Sequence, residues 1–348
     1  MDGDAMLPAY PLSTGRLTLR FFGEEDIGTL VAYRNNPRVA KLQDWDLPYV
    51  RERAEALVAA HSGRADIVPG EGTQLAIEHS GELIGDVFVG LAEHGGVAEI
   101  GFTVIPAHQG HGYALEAASA VVTDLVERLG VHRVFAQLST QNRASARVLE
   151  QLGMVFESLA PRSYWWRGTW DDNLVYALSD ESWRAWRERP TGPPDDVRLV
   201  ELTPENWWSY TKLHTHRSQE QFVAPVLGSI AEALIPEPHE GWPVVPVLRG
   251  IEADGEPAGF IMWSDAVNEG TPDPYLWRYL VDRRHQRRGI GRRALQLWIE
   301  EMRAAGHGAI ETSWVQERGG PEPFYLSLGF ELTGEMDDGE AVARLPLR

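Results

Sequence analysis

No cysteine occurs among the 348 residues, which excludes disulfides, thiolate metal sites and a cysteine nucleophile together. No apolar run approaches the roughly 18 residues a membrane span needs. The opening Met1-Asp2-Gly3-Asp4 is acidic, unlike a signal peptide, so the expected location is the cytoplasm. Positive charge is also short: 32 Lys+Arg face 51 Asp+Glu, a net −19. That balance argues against a nucleic-acid partner and favours cationic ones by raising their concentration near the surface. Neither a Gly-x-Ser-x-Gly elbow nor a phosphate-binding P-loop is present. His108 with His111, and His214 with His216, lack well-placed partners, so no metal site is expected.

What is there suits an ordinary folded protein, 43% hydrophobic and 24% charged. The length is about twice that of a usual domain. Between residues 188 and 196 runs Glu-Arg-Pro-Thr-Gly-Pro-Pro-Asp-Asp, with three prolines and no apolar period. Prolines extend the backbone and remove donors, so this stretch reads as a linker between domains 1–187 and 197–348. The two halves repeat each other. Arg16-Leu17 opens one and Arg198-Leu199 the other, and turn signals Ser80-Gly81 and Asp254-Gly255 follow. Next come the loops beginning at Gln109 and Gln286, then Leu152-Gly153 and Leu328-Gly329, 43 and 42 residues further on. Ordered landmarks at near-constant spacing argue for a duplicated domain.

Each half alternates strands and helices, which implies a mixed α/β sheet covered by helices. In the first, 99–105 reads as a strand, 115–129 as a helix, 131–139 as a strand and 144–152 as a short helix. In the second the same series falls at 275–281, 292–305, 309–315 and 322–328.

The loop between the strand and the long helix carries the clearest chemistry. In the first half it reads Gln109, Gly110, His111, Gly112, Tyr113, Ala114. In the second it reads Gln286, Arg287, Arg288, Gly289, Ile290, Gly291. Glycine lets the backbone approach a ligand closely, and the helix that follows offers unpaired N–H groups and a dipole suited to a pyrophosphate. One such loop is often only a tight turn; two in matching context carry more weight. A nicotinamide or flavin site is rejected. The third glycine of that fingerprint is missing, and each loop lies deep within its half.

On these residues both halves resemble the GNAT family of N-acetyltransferases, whose core motif is [QR]-x-x-G-x-[GA]. The first half resembles the RimJ/RimL-like branch that acetylates ribosomal-protein N-termini, through 16–20, 99–102, 112–117 and 142–153. The second resembles bacterial diamine and spermidine acetyltransferases, through 220–224, 229–233, 277–282, 324–330 and 334–340. The resemblance implies two tandem domains. Each would be a mostly antiparallel twisted sheet with a central splayed parallel strand pair, flanked by helices. It also implies acetyl-CoA on both glycine loops.

Direct acyl transfer needs a neutral amine, a polarised thioester carbonyl and a proton for the departing thiolate. The resemblance assigns the carbonyl to backbone N–H groups near Val104 and Val281. It assigns the acid to Tyr325 in the second half and to Ser145 in the first, with Asn142 on the pantetheine amide. The alternative for Tyr325 is core packing, and for Asn142 and Ser145 simple helix capping. Glu99 is the candidate general base through a water, or else an exposed strand-edge carboxylate. In the second half the family's asparagine is Arg318, and Pro321 and Pro323 delay the helix.

For the acceptor, Glu232 matches the polyamine-type motif, and Trp166 with Asp171 belongs to the last hairpin of the first half. An aromatic wall with carboxylates suits a cation. The expectation is a soluble acetyl-CoA-dependent enzyme acting on a small, cationic primary amine, a polyamine, aminoglycoside-like antibiotic or amino sugar. It would be a monomer with pseudo-dimeric halves or a homodimer, with no nucleic acid and no membrane. The alternatives are a protein N-terminal amine as acceptor, or one half serving only as a binding or structural module.

Overall fold

The computed structural model describes residues 9–166, 168–236, 244–265 and 273–347, and the chain divides into two compact units, Met1–Arg187 and Glu188–Arg348. The strands of the first unit are β1 (Leu12–Ser13), β2 (Thr18–Phe21), β3 (Gly72–His79), β4 (Glu82–Leu91), β5 (Val97–Val104), β6 (Arg133–Ser139), β7 (Val155–Trp166) and β8 (Thr169–Ser179). Its helices are α1 (Ile27–Arg34), α2 (Pro37–Ala40), α3 (Arg51–His61), α4 (Tyr113–Thr123), α5 (Arg143–Gln151) and α6 (Asp180–Glu188). One sheet runs in the order β1-β2-β3-β4-β5-β6-β8-β7. Every pairing is antiparallel except β5 with β6.

The second unit contains β9 (Val197–Glu201), β10 (Val245–Ala253), β11 (Glu256–Asp265), β12 (Tyr275–Val281), β13 (Ala309–Trp314), β14 (Glu331–Asp337) and β15 (Glu340–Pro346). Its helices are α7 (Trp207–Tyr210), α8 (Val226–Leu234), α9 (Ile290–Ala304) and α10 (Glu322–Leu326). The sheet order is β14-β15-β13-β12-β11-β10-β9, with β12 and β13 its parallel pair.

Strand alternation gives the first sheet two unlike faces. Leu75, Ile77, Val87, Val89, Ala98, Ile100, Val134 and Ala136 face one way and join α4, α5 and α6 in the main core. Burying one such side chain contributes about 1.5–3 kcal/mol. The other face packs at one end on α1 and α3, through Phe22, Leu30, Tyr33, Tyr49, Val58 and Ala76. The predicted helix over 115–129 begins earlier, at Tyr113, and its regular part ends at Thr123. Asp124–Arg128 continue as a wider π turn, whose Arg128 binds Asp124 and Asp66. Among the described residues no helix is long and apolar enough to cross a membrane.

Candidate active sites

The two parallel pairs separate almost as soon as they form. β5 and β6 pair only from Val97–Arg133 to Glu99–Phe135, and β12 and β13 only at Tyr275–Glu311 and Leu276–Thr312. Beyond those points the strands diverge. On the antiparallel side Ile105 N donates to Ile84 O at 2.8 Å, and Asp282 N to Ala258 O at 2.9 Å. Antiparallel ladders alternate, so the neighbouring pairs Val104–Gly85 and Val281–Gly259 are not hydrogen bonded to each other. Val104 and Val281 therefore turn N–H and C=O into the gap. Their carbonyls are taken by Gln109 Nε2 at 2.9 Å and Gln286 Nε2 at 3.0 Å, which leaves the N–H groups facing the opening. Gly85 and Gly259 make the approach possible. A Cβ on either would lie 2.1 Å from Thr103 O or 2.5 Å from Leu280 O. Each sits four residues after its turn glycine, Gly81 or Gly255, a repeat that sequence reading missed.

The glycine loops share a backbone trace. Gly110 and Gly112 both stand at φ 81°, and Arg287 and Gly289 at 61° and 81°. α4 and α9 start directly after Gly112 and Gly289, and neither has a side-chain cap. The first helical bonds are Glu116 N to Gly112 O and Arg293 N to Gly289 O. Tyr113, Ala114, Ile290 and Gly291 consequently have no acceptor within their own helices. Two uncapped helix ends of positive dipole fit the diphosphate of acetyl-CoA. At the first loop Arg16 adds a cation: its Nη1 reaches His111 O at 3.0 Å, its Nε reaches Glu116 at 2.7 Å, and it lies 4.7 Å over the Tyr113 ring. Arg288 turns the other way. Its buried side chain donates to Gly192 O at 2.8 Å and His285 Nδ1 at 2.9 Å, so only its backbone is available to a phosphate.

A cavity of about 930 Å³ opens on the polar face of the first sheet, across the splay. Strand register places Gln74, Asp86, Phe88, Glu99, Gly101, Thr103, Gln137 and Asn173 on this one face. Glu99 is half-buried, and Gln137 Nε2 approaches it at 3.4 Å while Asn173 Nδ2 donates to Gln137 Oε1 at 2.6 Å. Burial, with the Asp44 charge adding to it, raises the Glu99 carboxyl above its ordinary value; the Gln137 contact opposes them. Asp171 and Tyr164 also line the cavity, whereas Trp165 and Trp170 are exposed and pack on each other at 5.2 Å. The side chain of Trp166 lies outside the described residues.

The second unit differs at the matching steps. Phe260, Met262 and Leu280 stand where the register of the first unit has Asp86, Phe88 and Thr103, and all three are buried among apolar neighbours. A register shift in β12 puts Tyr275, opposite Ser264, at the step that Glu99 holds opposite Gly90, while Leu276 turns to the main core. No carboxylate takes the place of Glu99 there.

The remaining predicted residues are spread over the fold. Asn142 caps α5, accepting from Ser145 N at 3.2 Å, which is the capping alternative raised by the sequence. Tyr325 is buried, stacked on Trp314 at 5.1 Å with Phe324 and Phe330 at its edges. Burial raises its phenol, and Thr312 opposes the shift through a hydrogen bond. Glu232 is not a free carboxylate, for Arg278 Nη2 holds it at 2.6 Å. Sequence reading also passed over Arg34 and Asp86, a buried pair beside the cavity. For Asp86 the signal was a lone charge inside the run Ile84-Gly-Asp-Val-Phe88; Arg34, at the end of α1, offered none. Among the described residues no cluster of side chains is suited to a metal ion.

Comparison with known proteins agrees with this geometry. Residues 16–155 match the acetyltransferase (GNAT) domain, and residues 199–330 the acetyltransferase (GNAT) family. The uncharacterised N-acetyltransferase YoaA of Bacillus subtilis is 31% identical over 170 residues, covering 48% of this chain and 95% of its own length. The ribosomal protein uS5 alanine N-acetyltransferase of Escherichia coli is 24% identical over 190 residues, 52% of this chain and 96% of that protein. Mycobacterium smegmatis RimJ, solved with CoA-disulfide, aligns with a TM-score of 0.45 at 23% identity, over 51% of this chain and 91% of that one. With both units matched, and one relative covered along nearly its whole length, the chain belongs to the GNAT family of acetyltransferases and takes its acetyl group from acetyl-CoA.

Proposed function

We propose that the first unit transfers acetyl directly to the primary amine of a small, cationic acceptor held in the 930 Å³ cavity. The observation that carries this reading is Glu99, a carboxyl with a raised pKa beside the splay. A base poised closer to neutral pH transfers protons more effectively. Acetyl-CoA supplies the activated thioester. The uncapped N-terminus of α4 holds its diphosphate, with Gln109, Gly110, His111 and Gly112 shaping the loop. The Val104 N–H donates to the carbonyl oxygen and stabilises charge as it develops there. Glu99 removes the acceptor's ammonium proton through a water, and Gln137, backed by Asn173, orients the carboxylate. Ser145 donates to the departing sulfur or to its water. Asp44 and Asp171, on the same cavity wall, attract the acceptor's remaining positive charge.

The second unit lacks a counterpart of Glu99, so in this reading it contributes less to turnover or serves to bind the coenzyme. A second reading, a protein N-terminal amine as acceptor, draws on the printed name of the Escherichia coli relative. Mass spectrometry of the full chain with acetyl-CoA, a panel of diamines and amino sugars, and N-terminal peptides tests both. Acetylated cationic small amines are the expected products. A panel in which only peptides or neutral amines react overturns the first reading.

A further inference from the structure

One wall of the acceptor cavity holds two opposite charges with unequal satisfaction. Asp86 is 1% exposed and engaged at both oxygens: the Tyr33 hydroxyl donates to one and Gln74 Nε2 to the other. Arg34 is 6% exposed and under-used. Its Nη1 donates to the Tyr49 hydroxyl at 3.1 Å, its Nη2 stays 3.7 Å from Asp86, and its Nε has no partner among the described residues. A guanidinium carries five donors, and a buried donor without an acceptor is costly, more so when charged. The plane is nevertheless fixed. Trp45 and Tyr49 lie against it at 4.7 and 4.8 Å, and Trp45 Nε1 is anchored on the Arg34 carbonyl at 2.9 Å.

The negative partner thus has a donor on each oxygen, while the positive one, paired with it at 3.7 Å, keeps donors in reserve on the wall of a ligand-sized cavity. Asp86 pairs in register with Thr103, the residue before Val104, so Arg34 lies one strand from the gap where transfer is placed. A carboxylate offers two coplanar acceptors that match a guanidinium. We infer that the acceptor carries a carboxylate close to its amines, read by Arg34, so that the preferred substrate is a diamino acid rather than the bare diamine. This rests on the reading of the first unit as the site of amine acetylation and narrows it.

The test compares kcat/KM for ornithine and for 1,4-diaminobutane, which differ only in the carboxylate. The full chain carries Gly289→Trp so that turnover reports the first unit. The expected result is a preference for ornithine of at least about tenfold. The preference falls to within about twofold in Arg34→Gln/Asp86→Asn and is partly kept in Arg34→Lys. The double change removes both charges together, because removing Arg34 alone would strand a buried carboxylate. Calorimetric binding of ornithine in the presence of CoA gives a second readout for a variant that turns over poorly. Equal or better use of 1,4-diaminobutane overturns the inference and leaves the cationic-amine reading standing. So does a preference that survives the double substitution. If the chain neither acetylates nor binds either compound, the diamino-acid inference falls, and the amine panel decides the broader reading separately.

Discussion

Arg287 holds a left-handed backbone, φ 61°, at the step of the second glycine loop that Gly110 fills at φ 81° in the first. For a residue with a Cβ that conformation costs roughly 1–2 kcal/mol, partly offset by the lower chain entropy of a non-glycine residue when unfolded. Arg287→Gly should accordingly stabilise the second unit by about 1 kcal/mol or less. Urea titration checks it, and an unchanged or lowered midpoint would refute the strain.

Both loops should bind coenzyme. Gly112→Trp and Gly289→Trp each place a bulky side chain at φ 81°, on the helix end assigned to the diphosphate. Each should raise the dissociation constant at its own loop at least about tenfold, or about 1.4 kcal/mol. Calorimetry is expected to fall from two CoA per chain to one in either variant. Two sites of unaltered affinity in Gly112→Trp would remove the first loop from the coenzyme site.

Glu99→Gln should lower kcat/KM of the first unit by about 10²-fold or more. Because the ionised carboxylate is the active form, activity falls as pH drops through a pKa raised above the ordinary carboxylate value. Gln137 favours the ionised form, so Gln137→Leu should move the acid limb to higher pH. A limb that stays in place when Gln137 is replaced argues against Glu99 as the group that titrates.

Tyr325 separates packing from proton donation. Tyr325→Phe keeps the ring that stacks on Trp314 and should leave the unfolding midpoint nearly unchanged, whereas Tyr325→Ala should cost about 3–5 kcal/mol. If the phenol is the acid of the second unit, the Phe variant also lowers that unit's kcat with little change in KM. Full activity with normal stability would leave Tyr325 as packing alone, or place turnover in the first unit. A parallel Ser145→Ala measurement distinguishes these outcomes.

His285 should make the second unit sensitive to acid. Burial, helped by the Arg284 and Arg288 charges, lowers its pKa despite the nearby Asp282, and Arg288 donates to its Nδ1. The folded form therefore prefers the neutral ring. Below about pH 6.5, the ordinary imidazole value, the unfolded chain binds the proton more readily, and stability declines until the lowered folded pKa is reached. The melting temperature is expected to drop between about pH 6.5 and 5, and less so in His285→Gln. A melting temperature flat across that range would show that the ring does not titrate in linkage with folding.

The duplication and both glycine loops were legible because their signals are local. Gln109 and Gln286 sit at fixed distances from glycines that permit the left-handed backbone observed there. Glu99 was singled out because sequence reading starts a strand there, although β5 begins two residues earlier, at Val97. The rest of the cavity wall was hidden, since Gln74, Asp86, Gln137 and Asn173 meet only through strand register and Arg34 joins them from α1. The ion pair of Glu232 was hidden for a related reason: its partner Arg278 lies 46 residues away. The helix over 115–129 was overextended because apolar period does not reveal a π turn, which shows in the five-residue bond from Leu129 N to Asp124 O.

In the first sheet residues that line the cavity alternate in the chain with residues that face the main core: Asp86 precedes Val87, and Gln137 lies between Ala136 and Leu138. Recognition and folding are thus written on alternate letters of the same strands. The pair Asp86 and Phe260 shows what that permits. One copy keeps a wet wall at this step and the other an oily one, while α4 and α9 still rest on comparable cores. A duplicated unit of this kind can trade one acceptor for another, or give up acceptors altogether, without rebuilding the side of the sheet that keeps it folded.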